Sequence, residues 1–101
     1  MGAIPKPQRL RDPKAIEAAR KPFCESCGGP AYGEPHHIIP RSVGGADHKL
    51  NLIQLCLRCH FGDVATGKLR PEQLFAIIAE HEGMTTDQVI VEVNRLRGRG
   101  A

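Results

Sequence analysis

Cys24-Glu25-Ser26-Cys27, then His36-His37-Ile38-Ile39-Pro40-Arg41-Ser42-Val43-Gly44-Gly45-Ala46-Asp47, then Asn51-Leu52-Ile53-Gln54-Leu55-Cys56-Leu57-Arg58-Cys59-His60 are the runs that decide how this chain folds. Two Cys-x-x-Cys pairs bracket a His-His pair and an Asn, and a further His follows the last cysteine directly. So many metal-competent side chains in one short segment imply two separate sites. Cys24, Cys27, Cys56 and Cys59 have the spacing in which each pair sits on a tight knuckle and the two knuckles close a tetrahedron around zinc. His36, His37, Asn51 and His60 are left over. They offer neutral nitrogen and amide groups suited to an open metal position.

Size and composition call for the same staple. With 101 residues the chain makes one small domain and is too short for a second core. Its aromatic residues are Phe23, Tyr32, Phe61 and Phe75, with no Trp, so large core side chains are scarce. Metal-binding free energy becomes folding free energy in such domains, and the paired cysteines supply the means. Two disulfides, the other use of four cysteines, call for an oxidising compartment and an export signal. Met1-Gly2-Ala3-Ile4-Pro5-Lys6-Pro7 holds no apolar stretch of that kind, and no apolar run reaches the roughly 18 residues that a membrane span needs. The expectation is a reduced, zinc-bound, cytoplasmic protein with no membrane segment.

The net charge of +3 is unevenly placed. Residues 1–21 carry Lys6, Arg9, Arg11, Lys14, Arg20 and Lys21 against Asp12 and Glu17, a local balance of +4, whereas residues 22–70 come to +1 and residues 71–101 to −2. Such a surface is often only solvated. Beside a site that acts on phosphates, a basic arm holds the backbone through counterion release without reading sequence.

Residues 1–11, with Pro5 and Pro7, read as an extended arm. Asp12 and Pro13 form an N-cap and first-turn signal for a short helix that ends before Pro22. Residues 36–40 read as a strand, residues 41–50 as an irregular loop around Gly44-Gly45, and residues 52–55 as the second strand of a hairpin. The second knuckle delivers the chain into a helix that begins near His60 and fades by Gly67. Pro71 opens another helix with Leu74, Phe75, Ile77 and Ile78 at helical spacing, and Gly83 stands where a C-terminal cap is expected. Thr85-Thr86-Asp87-Gln88 is a capping box for a last helix, with Val89, Val93 and Leu96 on one stripe.

The order and spacing of the His-His pair, the Gly-Gly-x-Asp turn, Asn51-Leu52 and Leu55-Cys56-x-x-Cys59-His60 resemble the HNH endonuclease family over about residues 23–66. The resemblance implies a small α+β fold: a zinc-stapled ββα-metal motif with flanking helices. On this reading residues 1–22 are a basic N-terminal arm and short helix, residues 23–70 the zinc-bound HNH core, and residues 71–101 two C-terminal helices of the same domain. The implied activity is metal-dependent hydrolysis of DNA phosphodiesters, one strand per active site, so that a monomer nicks.

Within that reading His36 and His60 hold the catalytic ion, Mg²⁺ or Mn²⁺ before Ni²⁺ or Zn²⁺, while the cysteines hold a structural Zn²⁺. Successive strand side chains point to opposite faces, so His36 and His37 take separate roles, and His37 is the general base. The family offers two roles for Asn51. It either ties down the hairpin loop so that the base is aimed or, in Asp-His-Asn relatives, ligates the metal; the first is favoured here because His36 stands in place of Asp. Arg41 and Arg58 are the phosphate contacts expected. His48 and His81 are expected to be structural, and Asp47 to make local hydrogen bonds within its turn. A homodimer through the C-terminal helices or the N-terminal arm would convert nicking into double-strand cleavage. The alternative class is a non-catalytic four-cysteine zinc module that binds nucleic acid or protein. A rubredoxin-like iron site suits the cysteines alone. Both leave the histidines and Asn51 without a reason.

Overall fold

The computed structural model describes residues 11–97, so most of the expected basic arm lies outside the described residues. Asp12 caps the first helix by accepting a hydrogen bond from the Lys14 amide, and with Pro13 in the first turn α1 spans Pro13–Ala19. After the first knuckle, β1 (His36–His37) pairs antiparallel with β2 (Leu52–Ile53), placing His36 opposite Ile53 and His37 opposite Leu52.

Both strands are shorter than the sequence suggests. The Ile38 amide still donates to the Asn51 carbonyl, but at Ile39 a side chain takes over the ladder. The Asn51 Oδ1 accepts from the Ile39 amide at 2.8 Å and its Nδ2 donates to the Ile39 carbonyl at 3.1 Å. One carboxamide thus replaces the next rung, and Pro40 has no amide to continue it. The connecting loop is also more ordered than expected, with 3₁₀ turns at Arg41–Val43 and Lys49–Asn51. Its backbone folds back so closely that a Cβ on Gly45 would lie 1.7 Å from the Ile39 carbonyl oxygen.

The helix after the second knuckle starts at Arg58 instead of near His60 and is wound as a π-helix, Arg58–Val64, continuous with the knuckle through a bond from the His60 amide to the Cys56 carbonyl. Then α2 covers Pro71–Glu82 and stops at Gly83, whose φ of 66° puts it in the left-handed conformation. The expected capping box opens α3 (Thr86–Arg95): Thr85 Oγ1 accepts from the Gln88 amide and Gln88 Oε1 from the Thr85 amide.

Alternation along β2 sends its two side chains to opposite sides. Ile53 joins Ile38, Leu50, Leu74, Phe75, Ile78, Val89 and Val93 in the main core under α2 and α3, while Leu52 packs on Ile16 and Ala19 of α1. Residues paired across the strands share a face, so His36 lies on the side of Ile53 and His37 on the side of Leu52 and α1. The stripe on α3 is used inside the protein, since Val89 and Val93 are buried, and the ground for a dimer through that stripe falls away. Among the described residues no helix is long and apolar enough to cross a membrane.

Candidate active site

The four cysteine sulfurs lie within 4.8 Å of one another, and among the described residues no other group of three or more His, Cys, Asp and Glu side chains is gathered closely enough to hold a metal. The first knuckle makes this proximity from its backbone: the Gly28 amide returns to the Cys24 carbonyl and the Cys24 amide to the Gly29 carbonyl, with Gly28 at a φ of 81°. The Cys27 and Gly29 amides then point at the Cys24 and Cys27 sulfurs, each at 3.4 Å. The Gly29 amide, with help from the neighbouring thiols, draws Cys27 down to about 6, while burial pushes Cys59 up to about 12. Four gathered thiols with amides aimed at sulfur are the donor set that zinc selects. Arg58 lies beside this cluster, and the Cys27 and Cys59 thiols near its guanidinium raise its pKa above the ordinary value.

The histidines form a second centre. β1 carries His36 and the π-helix carries His60, and their rings come together with centroids 4.6 Å apart and planes at 56°. Burial, followed by the charges of His60 and His37, lowers His36 to about 4, so its ring stays neutral and keeps a lone pair for a metal. Phe61, exposed, stacks on His60 with ring centroids 4.5 Å apart. Two imidazoles are an incomplete shell, which suits a cation whose remaining positions go to water and phosphate oxygens.

His37 turns to the other face. Its Nε2 lies 2.7 Å from Asp47 Oδ1, and Asp47 is only 2% exposed. The same carboxylate accepts from Arg41 Nε at 3.2 Å, from an Arg41 terminal nitrogen at 3.3 Å and from the Asp12 amide at 3.0 Å. Burial pushes the Asp47 carboxyl upward, but the bonds from His37, Asp12 and Arg41 outweigh it and hold the group below its ordinary value. Asn51 is fully buried, and its amide bonds go to the backbone: both groups of Ile39 and the Ala46 carbonyl at 3.0 Å.

The two remaining histidines lie elsewhere. His48 caps the Lys49–Asn51 turn by accepting from the Leu50 amide at 3.1 Å, and burial lowers its pKa. His81 pairs with the buried Glu25 at 3.0 Å, joining α2 to the first knuckle. Sequence reasoning missed the reach of Asp47, which was read as a purely local turn residue. The available signal was its position in the loop that closes β1 on β2. Phe61 was also missed, and nothing in the pattern distinguishes it from a surface residue.

An antiparallel strand pair, the helix that follows it and a cluster of four thiols that could hold a metal ion make a small α+β module. Residues 24–62 match the HNH endonuclease family. It is similar to the type IV methyl-directed restriction enzyme EcoKMcrA of Escherichia coli (strain K12), with 41% identity over 63 residues, covering 50% of this chain and 23% of that protein. It is also similar to the probable mobile endonuclease E of Enterobacteria phage T4, with 51% identity over 43 residues, covering 43% of this chain and 26% of that protein. The chain thus spans about a quarter of the length of these curated relatives. No solved structure matches significantly.

Proposed function

We propose that this protein is a metal-dependent endonuclease that hydrolyses DNA phosphodiesters, cutting one strand per active site. The observation that carries the reading is the meeting of His36 and His60 from separate elements, with their ring centroids 4.6 Å apart. A divalent cation bound there would polarise the scissile phosphate and offset the charge that develops in the transition state. His36 and His60 hold it as neutral imidazoles. Imidazole donors suit Ni²⁺ and Zn²⁺, whereas Mg²⁺ or Mn²⁺ would be held mainly through the water and phosphate oxygens.

His37, one residue along β1, takes the proton of the attacking water, a role worth roughly 10² to 10⁴ in rate. Asn51 holds the hairpin loop by its backbone bonds and is not a ligand; full burial and committed hydrogen bonds support this. Arg41 contacts the phosphate from its place beside Asp47. The basic residues before Pro22 add phosphate contacts that steer the protein onto DNA. The cysteines keep a structural zinc and take no part in the reaction.

The test is incubation with supercoiled plasmid and Mg²⁺, Mn²⁺, Ni²⁺ or Zn²⁺ in turn. Wild-type protein should convert plasmid to the nicked form, and His60→Ala should abolish this while the knuckle keeps its zinc. A folded His60→Ala protein that nicks at the wild-type rate would sink the assignment.

A further inference from the structure

We propose that Asp47 is the positioning residue of the site: it fixes the His37 ring with Nε2–H directed at its own carboxylate, leaving Nδ1 as the nitrogen that takes the proton. This rests on the reading of His37 as the base.

The geometry decides the tautomer by donor and acceptor counting. The Asp12 amide and the Arg41 guanidinium can only donate, and both point at the Asp47 carboxylate. The carboxylate is therefore an acceptor on every side, and the group facing it at 2.7 Å, His37 Nε2, must be the donor. A neutral imidazole carries one N–H, so Nδ1 holds the free lone pair. The opposite tautomer would set the Nε2 lone pair against a buried carboxylate.

The carboxylate is itself held from three directions. Asn51 bonds the carbonyl of Ala46, the residue before it. The Gly45 amide returns to the Pro40 carbonyl, and the start of α1 donates through Asp12. Asn51 makes no bond to His37, so the aiming of His37 passes from Asn51 through the Ala46 backbone to Asp47 and from there to the ring.

The experiment uses the full-length, zinc-loaded protein labelled with ¹⁵N-histidine. Long-range ¹H–¹⁵N spectra followed to alkaline pH report which nitrogen carries the proton. The expected result is Nε2–H for His37, and a dominant Nδ1–H form overturns the proposal without any variant. In Asp47→Asn, with the carboxamide oxygen at the Oδ2 position facing the Asp12 amide and the Arg41 terminal nitrogen, the NH₂ takes the Oδ1 position toward His37 and Arg41 Nε, favouring the other His37 tautomer. That variant should show the shifted tautomer and a fall in kcat of about 10²-fold or more, with KM for plasmid and zinc content retained. Asp47→Glu, which restores an acceptor, should recover part of the rate. Asp47→Asn nicking at the wild-type rate while His37→Ala does not would overturn the positioning role. His37→Ala nicking at the wild-type rate would instead overturn the base reading beneath it.

Discussion

At the residue scale, Asn51 is the side chain whose loss should cost most for its size. It satisfies the Ile39 amide, the Ile39 carbonyl and the Ala46 carbonyl from a fully buried position. Leaving those groups unpaired should lower the stability of Asn51→Ala by about 3 kcal/mol, measured by denaturant unfolding, with loss of nicking and retention of zinc. Asn51→Asp should be no milder, because a carboxylate would face two carbonyl oxygens where Nδ2 now donates. Gly45 is constrained by space, since its Cβ would meet the Ile39 carbonyl oxygen at 1.7 Å. Gly45→Ala should therefore destabilise by about 3 kcal/mol or more. Gly83→Ala, at a φ of 66° with open space around it, should cost only about 1 to 2 kcal/mol. Equal unfolding midpoints for these two variants would remove the argument that the loop depends on close backbone approach.

At the element scale, the knuckles, hairpin and helices depend on different forces. The strand pair has only two residues on each side and cannot stand alone, so the thiol cluster beside it supplies much of the cohesion. Cys56→Ser, or removal of zinc by a chelator, should unfold the module as well as stop nicking, because structural metal free energy is folding free energy. Circular dichroism that stays native after zinc is stripped would contradict this. The last helix is a contrasting case. Thr85→Ala removes one half of a reciprocal cap and should lower stability by about 1 kcal/mol without touching nicking, as read by thermal unfolding and plasmid assay together.

At the scale of the whole molecule, α1 ties the N-terminal part of the chain to the site through the bond from the Asp12 amide to Asp47, and the +4 charge of residues 1–21 gathers on that side of the sequence. Each phosphate contact contributes about −0.9 to the slope of log affinity against log salt on duplex DNA. Deleting residues 1–10, which removes Lys6 and Arg9, should make that slope shallower by up to about 2, while nicking at saturating protein and low salt persists. An unchanged slope would assign the phosphate contacts to other surfaces. The core itself should be indifferent to the deletion, since Ile16, Ala19 and Leu52 pack among themselves within the described residues.

The sequence by itself determined the features written in a turn or two of chain. The Cys-x-x-Cys spacing set the knuckles, Asp12-Pro13 and Thr85 with Gln88 set helix starts, Gly83 set a helix end, and the alternation at His36-His37 set the two histidines on different faces. What only the tertiary structure decided were contacts made by closing the loop between the strands and folding α1 against it. Asn51 ends the ladder by reaching 12 residues back to Ile39, Asp47 reaches 10 residues back to His37, and Asp12 donates across 35 residues to the same carboxylate. Periodicity carries no information about such pairs. Their partners are selected by the path of the backbone around Gly45 and by the need to satisfy every polar group buried there, conditions that exist only once the loop has closed.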